Sequence, residues 1–310
     1  MSDRPRLRIG TRGSPLARAQ TDIVRARLAA ANGLDPTAIE VVAITTSGDA
    51  IRDRPLADAG GKGLFTKEIE EALLAQKIDV AVHSAKDVPT FLPAGLVLAA
   101  FPERADPRDA FVSERFERLA GLPAGAVVGS ASVRREALIR RMRPDVNVKL
   151  LRGNVNTRLD KVASGAYDAS VLALAGLERL GLAARAKEVL DPDTFPPSVG
   201  QGAIAIEIRA TDPVTAGLVA AVDDAPTSIA LAAERAFLAE LDGSCRTPIA
   251  GYARILNGRL KFHGLVISPD GREAVETRRE GLPADAVRIG ADAGRELKGR
   301  APAGVLATLI

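Results

Sequence analysis

The chain has 310 residues, of which 46% are apolar, 26% charged and 3% aromatic, with no Trp. That length suits two or three domains, and their cores must be built from Leu, Val, Ile and Ala. A net charge of +3, from 42 basic and 39 acidic side chains, is too balanced to indicate nucleic acid as a partner. The single cysteine, Cys245, excludes an internal disulfide, and two histidines without a Cys pair argue against a zinc site, so no metal is expected. No run approaches about 18 uncharged apolar residues, so no membrane span is expected. Met1 to Arg6 are not followed by the apolar run of a signal peptide, and the cytoplasm is the expected compartment.

Residues 7–12 read as a first strand. Ser14-Pro15 then starts a helix, Ser as N-cap and Pro at the first helical position, with an apolar stripe to about Ala31. Arg12 and Ser14 therefore stand at a strand exit beside a helix N-terminus, a ready anion site. Ser14 either only caps the helix or also contacts a ligand. Arg12 ends a buried strand and needs an anionic partner. Residues 40–45 are a second strand. The long stretch 46–63 follows, with Gly60-Gly61-Lys62-Gly63 near its end. It lacks P-loop spacing and reads as a mobile lid or as a plain surface loop.

Thr66 is placed to cap the next helix, in which Ile69, Leu73 and Leu74 form the buried face. A buried strand follows at 78–83 and turns polar within a few residues: His83, Ser84, Lys86 and Asp87. Val88-Pro89 stops any helix there, because proline drives its predecessor out of the α region. In open α/β sheets ligands bind at such C-terminal strand edges. Residues 96–101 complete a βαβαβ pattern, and the charged, proline-bearing 102–108 reads as a hinge into a second unit of the same design.

In that second unit, strands at 126–129, 146–151 and 169–174 are each followed by arginine. Ser130, Ser132, Arg134 and Arg135 follow the first, Arg152 and Arg158 the second, and Arg179 the third. Arginine pairs bidentately with carboxylates, so Arg12 and these five imply a ligand carrying several negative charges. Ser198-Val199-Gly200-Gln201-Gly202 precedes a strand at 203–208 that returns the chain to the first unit. Two crossovers between α/β lobes suggest a hinged cleft like that of a periplasmic solute-binding protein. A helix at 227–241 ends in the Gly-containing loop that holds Cys245. Hairpin signals at Asn257-Gly258 and Pro269-Asp270-Gly271 and a helix at 283–298 make a third, smaller α+β domain. The expected boundaries are 1–102 with 203–221, then 103–202, then 222–310. Cys245 is either a small buried hydrophobe or a covalent attachment point; with no His nearby in sequence, a Cys-His nucleophile is unsupported.

Seven segments together resemble the porphobilinogen deaminase family. They are Gly10-Thr11-Arg12-Gly13-Ser14-Pro15-Leu16-Ala17, Gly60 to Phe65, His83 to Pro89, Asp106-Pro107-Arg108-Asp109-Ala110-Phe111, Leu151 to Val155, Val199 to Ala203 and the Cys245 loop. They span nearly the whole chain in order. The resemblance implies two doubly wound lobes in the type II periplasmic-binding arrangement plus a C-terminal domain. It implies head-to-tail condensation of four porphobilinogen molecules, with loss of ammonia, to hydroxymethylbilane, by a monomer that acts on this small molecule and not on nucleic acid or membrane.

It also implies a dipyrromethane cofactor joined to Cys245 through a thioether, with Asp87 as the catalytic carboxylate. Ser84, Lys86, Ser130, Ser132, Arg134, Arg135 and Arg158 fall on cofactor positions. Arg12, Ser14, Gln20, Arg152, Arg179 and Gln201 fall on substrate positions, and Lys62 on the lid. Asp58, Ala85, Ala131, Ser244 and Arg246 depart from the usual family pattern. A non-catalytic binding protein for a small polyanion is the competing reading; it requires neither a covalent adduct nor Asp87.

Overall fold

The computed structural model describes residues 7–50, 63–241, 248–302 and 305, so Cys245 and Lys62, with Asp58, Ser244 and Arg246, lie outside the described residues. In chain order the strands are β1 (Leu7–Arg12), β2 (Ile39–Ile44), β3 (Val80–Ser84), β4 (Leu96–Ala100), β5 (Asp109–Val112), β6 (Val127–Ser130), β7 (Asn147–Leu150), β8 (Ala169–Ala173), β9 (Glu188–Val189), β10 (Ile204–Arg209), β11 (Ile249–Leu256), β12 (Arg259–Ile267) and β13 (Ala274–Gly281). The helices are α1 (Pro15–Asn32), α2 (Ser47–Ala50), α3 (Lys67–Leu74), α4 (Val133–Met142), α5 (Val155–Ala163), α6 (Leu174–Arg179), α7 (Pro213–Ala220), α8 (Ala225–Glu240) and α9 (Ala286–Arg300). No single described helix is long and apolar enough to cross a membrane.

The described residues fall into two compact units. The first takes residues up to 105 and residues 203–228, around a sheet ordered β2-β1-β3-β10-β4. β1 runs parallel to β2 and β3, whereas β10 is antiparallel to both β3 and β4. Side chains alternate across β3 as the pleat requires. Val80 and Val82 join Val24 and Leu28 of α1 in one core layer, and Ala81 joins Ile69 and Leu73 of α3 in the other.

The second unit takes residues 106–202 and 229 onward. Its first sheet is ordered β7-β6-β8-β5-β9, with β6 parallel to β7 and β8, and β5 antiparallel to β8 and β9. The two five-stranded sheets thus share one plan. In each, the antiparallel fourth strand is the one laid down directly after the chain crosses from the other unit. This is the α/β class, with the chain crossing twice between units, that the strand and helix pattern suggests.

The second unit also holds the meander β11-β12-β13, packed by α8 and α9 around Phe237 and Phe262, whose rings meet edge-on at 5.1 Å. Ala250, Leu265 and Ile267 of this meander share a core with Phe111, Val128 and Leu138 of the neighbouring lobe. Asn257 and Gly258 both have positive φ, at 52° and 73°, as a type I′ hairpin demands.

Candidate active site

In the first unit the C-terminal ends of β1 and β3 meet the start of α1. Ser14 caps α1 as its sequence position suggests, its Oγ accepting from Ala17 N at 3.3 Å. Arg12, the last residue of β1, finds its anionic partner in Asp49 of α2. Nη2 donates to Oδ1 at 2.5 Å and Nε to Oδ2 at 3.2 Å. Thr46 Oγ1 donates to the same carboxylate at 2.8 Å. Phe65 stacks under the guanidinium, 4.0 Å from ring centroid to Cζ. Burial alone would raise Asp49, but the hydrogen bonds from Arg12 and Thr46 outweigh it and hold the carboxyl below its ordinary value.

β3 ends at Ser84 and is followed by one 3₁₀ turn, Ala85 to Asp87, which stops at Val88 before Pro89. Ala85 N donates to Ala203 O at 3.0 Å, tying the turn to the start of β10. Lys86 is exposed, while Asp87 is half-buried with its Oδ2 3.9 Å from Arg12 Nη1. The Gln20 side-chain amide holds the Ser84 hydroxyl at 3.0 Å. Arg12, Ser14, Gln20, Ser84, Lys86 and Asp87, six residues singled out from sequence, line a single pocket. Phe65 and His83 also line it. His83 differs from the sequence expectation: it is not offered at the strand edge but turned inward, with Nε2 3.0 Å from Glu207 Oε2. The alternation of β3 puts it on the α3 side of the sheet. Thr66 precedes α3 but makes no side-chain capping bond.

In the second unit, Ser132 caps α4, accepting from Arg135 N at 3.4 Å, and Ser130 Oγ accepts from Ser132 N at 3.1 Å. Arg134 and Arg135 follow in the first turn. They do not stand at an open edge, as the sequence suggested. Both are buried around Asp109 of β5. Arg134 Nη2 donates to Oδ2 at 2.7 Å and Arg135 Nε to Oδ1 at 3.0 Å. Gln201 joins them, Nε2 donating to Asp109 Oδ1 at 2.9 Å and Oε1 accepting from Arg135 Nη2 at 3.2 Å. Burial would raise Asp109, yet the two guanidiniums hold it below the ordinary range, and burial lowers Arg134. Two cations share one anion, so the cluster carries a buried excess of positive charge.

The other arginines are dispersed. Arg179, the last residue of α6, donates to Gly202 O at 2.6 Å, beside Gln201. Arg158, a turn into α5, donates its Nε to Gly153 O at 2.8 Å. Arg152 Nη1 and Arg134 Nε are buried without an acceptor among the described residues. Glu234 of α8 accepts from Gly200 N at 2.7 Å and from Ala253 N at 2.8 Å, and so braces the loop that carries Gln201. Reading the sequence missed Asp49, Phe65, Asp109 and Glu207. Phe65 and Asp109 lie inside recognised segments, but a search for cations at strand exits passes over the acid that organises them.

The model described as "Porphobilinogen deaminase, dipyromethane cofactor binding domain" matches residues 7–216, and "Porphobilinogen deaminase, C-terminal domain" matches residues 228–299. A curated relative from Nitrobacter hamburgensis, named Porphobilinogen deaminase, is 60% identical over 293 residues, covering 94% of this chain and 93% of its own. Another of the same name, from Nitrobacter winogradskyi, is 59% identical over the same shares. Among solved structures, a methionine-bound nutrient-binding protein from Burkholderia cenocepacia aligns at a TM-score of 0.42 with 15% identity, covering 70% of this chain and 91% of that one. The chain belongs to the porphobilinogen deaminase family.

Proposed function

We propose that the chain condenses four porphobilinogen molecules head to tail, releasing ammonia, to give hydroxymethylbilane, with Asp87 as its catalytic carboxylate. The observation that carries the assignment of Asp87 is the pocket. Six residues chosen from sequence converge there, and Asp87 is the one carboxylate among its lining. A fixed carboxylate facing a pyrrole nitrogen stabilises positive charge as the amine departs. It also accepts and returns protons. Arg12 is held by Asp49 and Phe65, so it presents a fixed cation to an incoming carboxylate without closing a hydrogen bond on Asp87. Ser14, Gln20 and Lys86 complete the polar lining.

The residues of the second unit fit a cofactor that carries acetate and propionate groups. Arg152 Nη1 and Arg134 Nε are buried donors without acceptors among the described residues, a condition that a ligand oxygen relieves. Asp109 neutralises only one of its two arginines. On this reading Ser84, Lys86, Ser130, Ser132, Arg134, Arg135 and Arg158 hold dipyrromethane. Arg12, Ser14, Gln20, Arg152, Arg179 and Gln201 hold substrate, Lys62 serves the lid and Cys245 is the anchor. Dipyrromethane, when bound, supplies the pyrrole carbon on which the chain is extended. The enzyme is read as a cytoplasmic monomer divided at 1–102 with 203–221, 103–202 and 222–310.

Intact-mass measurement of the purified protein tests the anchor. The expected mass exceeds that of the bare chain by two pyrrole units, and Cys245→Ala loses the increment. A fully active wild type without it sinks the cofactor assignment.

A further inference from the structure

Behind the pocket lies a set of ionisable groups that the proposed chemistry does not use. His83 is 5% exposed and Glu207, to which its Nε2 is bonded, is fully buried on β10. Glu70 of α3 is 6% exposed, and both His83 and Glu207 act on its charge. Glu68 lies beyond it on α3. On the pocket side stand Arg12, Lys86 and Asp87, and α1 contributes the uncharged Gln20. Glu207 Oε1 is buried without a partner among the described residues, while the Thr66 hydroxyl bonds the Glu70 carboxyl.

A carboxyl as deep as Glu207 needs a polar partner, and the imidazole is the group that touches it. Burial pushes the Glu70 carboxyl up; a hydrogen bond from Thr66 opposes it, Glu207 pushes it up further and His83 pushes it down. The imidazole is also placed to matter. It projects from β3 one residue before Ser84 and four before Asp87, and its bond to β10 reinforces the one that Ala85 makes to Ala203.

We propose that His83 is a positioning residue for Asp87, held in place by its buried bond to Glu207. It acts through the turn that it anchors, not by touching substrate. The proposal rests on Asp87 being the acting carboxylate.

Steady-state kinetics of folded variants test the proposal. His83→Asn should lower kcat about 10- to 100-fold, the scale of loss when a catalytic group is misplaced, with KM within about twofold. Glu207→Gln, which keeps an oxygen for the ring to bond, should lower kcat less than His83→Asn does. Unchanged kcat in folded His83→Asn overturns the proposal while Asp87→Ala remains inactive. An active Asp87→Ala instead overturns the role of Asp87 itself.

Discussion

Arg12 closes a two-point hold on Asp49, at 2.5 and 3.2 Å, while its remaining terminal nitrogen stops 3.9 Å short of Asp87. The cation is therefore fixed by one acid and kept within electrostatic reach of another. Asp49→Asn should release that hold. The expected outcome is a rise in KM for porphobilinogen of about tenfold, with a stability change of at most about 1 kcal/mol for so accessible a pair. The pH sign follows from the lowered Asp49 carboxyl. Stability from this pair is present above the ordinary carboxylate pKa of about 4 and is lost as pH falls through the lower folded value. Acid unfolding of Asp49→Asn should lack that contribution.

Asp87 contributes a charge where the pocket is otherwise lined by cations and neutral groups. Asp87→Asn keeps its shape and removes the charge; Asp87→Ala removes both. Each should lower ammonia release by at least about 10²- to 10³-fold, the usual scale for loss of one preorganised electrostatic partner. The side chain is 31% exposed, so melting curves should stay close to wild type. Near-normal ammonia release from either variant would show that another group stabilises the departing amine.

Asp109 is the opposite case, an acid whose removal should be felt mainly in folding. It is wholly buried and pairs with Arg134, Arg135 and Gln201 together. Asp109→Asn leaves two buried guanidiniums without a counter-charge, and breaking a buried pair in this way costs about 3–5 kcal/mol. Urea titration at pH 7 should show that loss. Because folding lowers the Asp109 carboxyl, its contribution is full above the ordinary carboxylate pKa and declines as pH falls through the folded value. The gap between wild type and variant should therefore narrow in acid. A constant gap from pH 7 to the acid transition would mean that Asp109 is not ionised in the fold.

What could be read from sequence was set by local signals. Ser14-Pro15 and the Val88-Pro89 stop act over a few residues, and each lies where its chemistry puts it. The buried runs at β1, β3 and β10 gave the sheet because continuous apolar strands are covered on both faces. Partners far apart in the chain were not legible. Asp109 and Arg134 are 25 residues apart, and His83 and Glu207 are 124 apart. Arginines at helix starts signal an anion without saying whether it is a ligand or an internal aspartate. Nothing local marks Asp109 as the counter-ion of Arg134 and Arg135, so their place after a strand suggests an open edge. Likewise a strand's alternation does not reveal which face meets α3, and so His83 looks like an edge residue.

The crossing of α8 and α9 depends on glycine. A Cβ built on Gly290 would lie 1.9 Å from Ala233 O, and one on Gly294 would lie 2.8 Å from Phe237 O. Both obstacles are helix backbone, which cannot turn aside as a side chain tip can. Gly290→Ala must therefore force the helices apart. Overpacking of this kind costs about 1–3 kcal/mol, which outweighs the roughly 1 kcal/mol that alanine adds to helix propensity. Gly299, near the end of α9, has nothing within 4 Å of its Cβ position, so Gly299→Ala should keep the propensity gain and leave the fold as stable or more so. Chemical denaturation of the pair separates the two effects within one helix. Because α8 runs directly into the segment that contains Cys245, the fraction of Gly290→Ala carrying the two-pyrrole mass increment should fall as well, while Gly299→Ala stays fully loaded. Equal stability of the two variants would mean that α8 and α9 do not approach so closely.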